Sequence, residues 1–172
     1  FTVDLASTTF AYERSFGRAP DRADQFSQPA AVEYDTNGNV FILDRIGHRV
    51  KKYDPEGRFV KEWGKRGEGR IGYATTLVIE NFNGEERILV VDWTTKVYDL
   101  DGQYLDTVTM PNDIKATDIA LGADGSWFVV DDHETMTLNK LSSDMSVLEW
   151  STTGPTDQNL QNPGSVAIGI NG

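Results

Sequence analysis

Short apolar runs recur three times along the chain, and each run of four apolar residues ends in an aspartate. The closing residues are Asp44, Asp92 and Asp131. A dipeptide that favours tight turns precedes each run. These dipeptides are Asn37-Gly38, Asn83-Gly84 and Asp124-Gly125. Because Asn-Gly and Asp-Gly supply the positive φ angles of two-residue hairpins, each apolar run is predicted to be the second strand of a hairpin.

Two further strands are predicted after each aspartate. A short loop leads to a third strand, and an Asp-rich or Gly-rich turn leads to a fourth, which ends in Trp63 in the first unit and contains Trp150 in the third. Four short antiparallel strands that repeat every forty-odd residues are typical of a β-propeller blade. A β-sandwich is the alternative, but it does not predict this ordered recurrence of Gly, Asp and Trp.

The repeat divides the whole chain, which we predict to be a single partial β-propeller domain over residues 1–172. The fold class is all-β, with four-stranded antiparallel blades. The predicted pieces are the end of a preceding blade at 1–17, blades at 28–64, 74–109 and 116–151, and the start of a further blade at 163–172. Since a ring needs neighbours on both sides of every blade, we expect the open ends to be covered. The remainder of the same propeller or a partner protein, including a homo-oligomer, would cover them.

The first unit resembles the NHL repeat over Asn39–Gly57. Gly47-His48-Arg49 stands where that family has its Asn-His-Leu motif, and Trp93-Thr94-Thr95-Lys96 replaces the histidine-containing loop in the second unit. The resemblance implies the blade fold and six blades in the complete propeller. It does not fix a function, because the same fold hosts unrelated activities.

The amino-acid composition disfavours some classes of binding partner. The net charge of −11 arises from 27 acidic and 16 basic side chains and disfavours nucleic acid and anionic membranes. No apolar run is long enough to predict a membrane span. The chain has no cysteine, so no disulfide reports the redox compartment. The start at Phe1 rather than methionine favours an extracellular or periplasmic protein, with a cytoplasmic one as the alternative.

Ligand binding is expected on one face of the propeller. In the NHL-like propellers that the chain resembles, this face carries the loops between second and third strands and the connections between blades. The candidate ligand-binding residues there are Arg45, His48, Arg49, Lys65, Arg66, Trp93, Lys96 and His133. The recurring aspartates are expected to be structural instead, accepting backbone N–H bonds that fix the loops.

No cofactor, catalytic residue or metal ligand is predicted within this chain. It has only two histidines, whereas the amidating lyases that resemble this family build a zinc site from histidines. Asp35, Asn37 and Asn39 have the spacing of a calcium loop, but Ile46 stands where such a loop needs glutamate. Calcium or zinc therefore remains an expectation only for a complete propeller.

Three functions follow from these observations. The first is a non-catalytic binding or assembly module that presents its loops or open blade edges to a protein or a glycan. The alternative is a propeller lyase or hydrolase that uses His48 or His133 and a divalent-metal site completed by other blades. The third is single-stranded RNA binding through cations such as Lys65 and Arg66, which predicts a steep dependence on salt.

Overall fold

A computed structural model describes residues 25–133, 136–153, 160–161 and 163–169. These residues form three antiparallel four-stranded sheets and one short 3-10 helix. The first sheet contains β1 (Pro29–Tyr34), β2 (Val40–Asp44), β3 (Arg49–Tyr53) and β4 (Phe59–Trp63). The second contains β5 (Thr76–Phe82), β6 (Glu85–Val91), β7 (Thr95–Asp99) and β8 (Tyr104–Val108). The 3-10 helix (Pro111–Asp113) leads to the third, which contains β9 (Ala116–Leu121), β10 (Trp127–Asp131), β11 (Thr137–Leu141) and β12 (Leu148–Thr152).

Consecutive strands are neighbours in every sheet, as tight hairpin turns require. In the β1–β2 turn, the Asp35 carboxylate accepts the backbone N–H groups of Asn37 at 3.0 Å and Asn39 at 2.8 Å. These bonds explain the alternate spacing of the polar residues as a turn. The β5–β6 hairpin turns on Asn83 and Gly84 alone, both with positive φ. The strands are therefore longer here than the sequence indicated.

The sheets pack face to face through β6, which is buried on both sides. Ile88 and Val90 contact the core shared with the first sheet, whereas Leu89 and Val91 contact the core shared with the third. Side chains alternate between the two faces of a strand, so one continuous apolar strand serves two interfaces. The first strands of successive sheets, β1, β5 and β9, are also neighbours. The three sheets therefore pack side by side like the blades of a propeller, which confirms the prediction of an all-β propeller fold.

The outward faces of the first and third sheets carry apolar side chains. On β1, Val32 is 63% exposed and Tyr34 is 73% exposed. On the third sheet, the rings of Phe128 and Trp150 pack edge to face with centroids 6.0 Å apart, and Trp150 remains partly exposed. Apolar surface of this kind marks an interface when it is contiguous.

The two predicted part-blades are only partly covered by the structure. Residues 1–17 lie outside the described residues. Of the predicted blade start at 163–172, the described residues 163–169 contain no strand. This segment runs beside β9, because the Val166 N–H donates to the Asp118 carboxylate at 2.9 Å. Both part-blades stay predictions.

Candidate functional site

The aspartate at the end of the second strand joins two loops in each sheet. Its carboxylate accepts a backbone N–H bond from the segment that enters the blade. The pairs are Gln28 to Asp44 at 2.7 Å, Gly72 to Asp92 at 2.9 Å and Lys115 to Asp131 at 3.1 Å. The same carboxylate accepts an N–H bond from its own loop. Those donors are Gly47 at 3.3 Å, Thr94 at 2.9 Å and His133 at 3.0 Å. The expected structural role of the aspartates is confirmed, and the loop face is held in place by buried carboxylates.

In the first sheet, the carboxylate also pairs with a predicted site residue. Arg49 contacts Asp44 at 2.9 Å and Glu62 at 2.9 Å. Burial raises the pKa of the Asp44 carboxyl, but the N–H bonds from Gln28 and Ser27 and the Arg49 guanidinium outweigh burial and lower this pKa below its ordinary value. Asp44 is therefore a carboxylate at neutral pH, and Arg49 is engaged by two carboxylates and by the Gln25 carbonyl at 2.9 Å.

The predicted residues of the second and third blades lie together. The rings of Trp93 and His133 have centroids 6.1 Å apart and are inclined by 34°. Both residues line an open cleft of about 30 Å³. The other lining residues are Tyr73, Thr75, Asp92, Lys115 and Ala116. A cavity of this size holds about one or two water molecules, so any larger ligand must lie across the cleft mouth.

A second, smaller cavity adjoins this cleft and shares Asp92, Trp93 and Ala116 with it. Its volume is about 10 Å³, and Thr95, Met110 and Ile114 contribute to its lining. Thr95 is only 1% exposed, and its hydroxyl has no hydrogen-bond partner among the described residues. Such a buried polar atom is uncommon in folded proteins and invites a functional explanation. We call the cleft and this adjoining cavity together the Trp93 cleft.

Two predicted residues of the first blade lie at the edge of the Trp93 cleft. The Nδ1–H of His48 donates to the Gly72 carbonyl at 2.8 Å, and the His48 ring packs edge to face on Tyr73 with centroids 5.0 Å apart. Arg45 Nε donates to the Ala74 carbonyl at 3.1 Å. The His48 imidazole is therefore bonded to the backbone of the connection that follows β4. Both residues position the connection that carries Tyr73.

The remaining predicted residues are placed elsewhere or support the cleft indirectly. Lys96 Nζ contacts the Asp92 carboxylate at 3.1 Å and the Thr94 hydroxyl at 2.6 Å. Lys65 pairs with Glu62 at 2.7 Å on the first sheet, and Arg66 is exposed on the connection that follows β4. A ligand-binding role for all eight predicted residues stays a prediction.

Among the residues that sequence reasoning missed are three with aromatic or polar side chains that line the cleft beside Trp93 and His133: Tyr73, Thr75 and Lys115. All three lie in the connections that enter the second and third blades, just before β5 and β9. In the sequence, only the cations of the connection after β4 stand out as candidates on this face. The signal available for Tyr73 is a large aromatic residue among small and polar neighbours, three positions before β5.

Metal binding is not indicated by the described ranges, in which no group of three His, Cys, Asp or Glu side chains could hold a metal ion. No helix in the described part of the chain is long and apolar enough to cross a membrane.

Comparison with known proteins supports the fold class. No protein-family model and no curated sequence matches the chain. Solved structures do match. Virginiamycin B lyase from Staphylococcus aureus is 14% identical, with a TM-score of 0.59 over 84% of this chain and 46% of its own. Hydrazine synthase from Kuenenia stuttgartiensis is 14% identical, with a TM-score of 0.64 over 86% of this chain and 40% of its own. The WD40 domain of a Neurospora crassa protein is 13% identical, with a TM-score of 0.55 over 72% of this chain and 35% of its own.

These likenesses define the class of the protein as a β-propeller and go no further, because identities of this size show the fold alone. The chain spans less than half the length of each of these structures. The NHL family is not confirmed by any of them.

Proposed function

We propose that the chain is a non-catalytic binding module of a β-propeller and that the Trp93 cleft is its binding site. The observation that carries the proposal is the exposure of Trp93, which is 69%, on a loop that the buried Asp92 holds rigidly. A large aromatic side chain exposed on a fixed loop suits binding, since it buries much apolar area on contact and loses little conformational entropy.

The two histidines do not favour catalysis over binding. His48 is engaged by the Gly72 carbonyl, and His133 contacts the Trp93 ring. Within the described residues, neither imidazole is within hydrogen-bond distance of a carboxylate, and His133 Nε2 lies 3.8 Å from Asp132. A general base is normally oriented by such a partner. The lyase alternative is therefore less well supported than binding.

RNA binding is also less well supported. Two of the candidate cations, Arg49 and Lys65, pair with the same carboxylate, that of Glu62. This pairing lowers the positive potential that a phosphate backbone requires, and the overall charge of −11 opposes it further.

We also propose that further blades, in the same polypeptide or in another copy, pack on the outward faces of the first and third sheets. The exposed Val32 and Tyr34 on β1 and the Phe128–Trp150 pair on the third sheet support this arrangement. The extracellular or periplasmic location is part of the same proposal. A solved structure from Bacteroides fragilis described as an exported protein shares the fold at 14% identity and a TM-score of 0.62, covering 89% of this chain and 46% of its own.

Crystals of the full chain soaked with mixed small organic fragments test the binding site without knowledge of the ligand. Pockets that bind natural ligands also concentrate such fragments. We expect fragments to collect on the face of Trp93 and to be lost in W93A, while W150A retains them. Fragments that collect on any other surface, with none at Trp93, would rule out the proposal.

A further inference from the structure

The rim of the Trp93 cleft presents aromatic faces to solvent. Trp93 and Tyr73 are 69% and 62% exposed. A ring sandwiched between two aromatic planes needs about 7 Å between them, because each contact takes about 3.5 Å. The 6.1 Å between Trp93 and His133 is too short for that. A ligand ring must therefore stack on an outer aromatic face, which leaves the rest of the ligand in solvent.

The charges around the cleft favour a neutral ligand. Lys115 lines the cleft and pairs with Asp113, and Lys96 pairs with Asp92. These two ammonium groups repel a cationic ligand. An anionic ligand is repelled by the carboxylates of Asp92 and of Asp132, which is next to His133. The net charge of −11 adds to this repulsion. A neutral group avoids both repulsions.

The hydrogen-bonding groups of the cleft can pair with hydroxyl groups. Lys115, which also pairs with Asp113, is a donor, and the imidazole of His133 can donate or accept. The Thr75 hydroxyl donates to the Val91 carbonyl at 3.4 Å, which leaves its oxygen as an acceptor. Thr95 lines the adjoining cavity of about 10 Å³, but its unpartnered hydroxyl is itself buried. The groups that can meet a ligand are therefore those of the open cleft.

We propose that the Trp93 cleft binds a neutral saccharide, with one pyranose ring stacked on Trp93. The C–H face of a pyranose carries partial positive charge and packs on the negative face of an indole ring. Its hydroxyls pair with Thr75, Lys115 and His133. The shallow cleft suits one or two rings of a longer glycan rather than an enclosed small molecule. This inference rests on the proposed binding function and names its ligand class.

Isothermal titration of the full chain with cellohexaose, xylohexaose, mannohexaose and N-acetylchitohexaose tests the inference. We expect at least one of these oligosaccharides to bind. W93A should weaken its binding at least about tenfold, whereas W93F should retain most of it because an aromatic face remains. W150A is the matched control and should bind like the unchanged protein.

Failure of all four oligosaccharides, or binding that W93A leaves unchanged, would overturn the saccharide inference. Circular dichroism of W93A confirms that any loss of binding is not a loss of fold. If oligosaccharides fail while soaked fragments still collect on Trp93, the binding site stands and only its ligand class is wrong. If fragments also avoid Trp93, both proposals fail.

Discussion

Replacing Asp44 with asparagine should destabilise the fold strongly, because Asp44 joins two loops and an arginine. The carboxylate is fully buried and accepts N–H bonds from Gln28, Ser27 and Gly47 as well as from Arg49. Asparagine preserves the shape but loses the charge. Removing one partner of a buried ion pair costs about 3 to 5 kcal/mol. Since Arg49 keeps its contact with Glu62, we expect a loss near the lower limit, about 3 kcal/mol.

Asp101 provides the matched control. It is also an aspartate paired with a cation, at 3.3 Å from Lys52, but it is 79% exposed. D101N should therefore change stability by less than about 1 kcal/mol. Urea denaturation followed by tryptophan fluorescence measures both free energies of unfolding. If D44N and D101N have equal effects, the assigned role of the buried carboxylate is wrong.

The same comparison predicts a pH dependence. The pKa of Asp44 is lowered in the folded state by its N–H and Arg49 partners. Its contribution to stability is then present above the pKa of the unfolded chain, about 3.9, and is lost as pH falls through the lower folded value. The difference in stability between the unchanged protein and D44N should shrink as pH falls below about 4. A difference that is constant across this range would contradict the assignment.

Three further predictions follow from packing, turn geometry and titration. L89A should lower the free energy of unfolding, measured by urea denaturation, by about 2 to 5 kcal/mol, because Leu89 is buried between the second and third sheets. The control is L105A, which should change it by less than about 0.5 kcal/mol because Leu105 is half exposed. Equal losses would refute the shared interface. G102A should lower the melting temperature more than G84A. Both glycines have positive φ, but only a Cβ at Gly102 would meet a side chain, that of Trp63, at 2.4 Å. Equal shifts in melting temperature would refute this contact. The Ser142 hydroxyl and the N–H and hydroxyl of Ser146 lower the pKa of Asp144 to about 2, so its carboxyl carbon should titrate near that pH by NMR; titration near 3.9 would show that these bonds are absent.

The fold was predictable because its signals are local and repeated. Apolar runs that end in aspartate, preceded by turns such as Asn37-Gly38, specify hairpins through backbone geometry alone. Because the same turn and strand signals recur in each unit, the interpretation of one unit supports that of the next.

The site was only partly predictable because it forms between blades. Trp93 and His133 were named from their loops, but their proximity depends on how the second and third sheets pack. Tyr73 and Lys115 lie far apart in sequence and are brought to one cleft by the Asp92 and Asp131 bonds to their connections. The spacing of these residues along the sequence does not indicate that they line the same cleft.

The most direct test of the binding role follows the four tryptophan indole N–H signals by NMR. Trp127 is buried, Trp63 packs in the core between the first two sheets, and Trp93 and Trp150 are exposed on different surfaces. As a cocktail of small organic fragments is added to the full chain, the account predicts that the Trp93 signal shifts in a saturable manner while the Trp150 signal stays in place. A shift of Trp150 with an unchanged Trp93 signal, or no saturable shift at all, would contradict it.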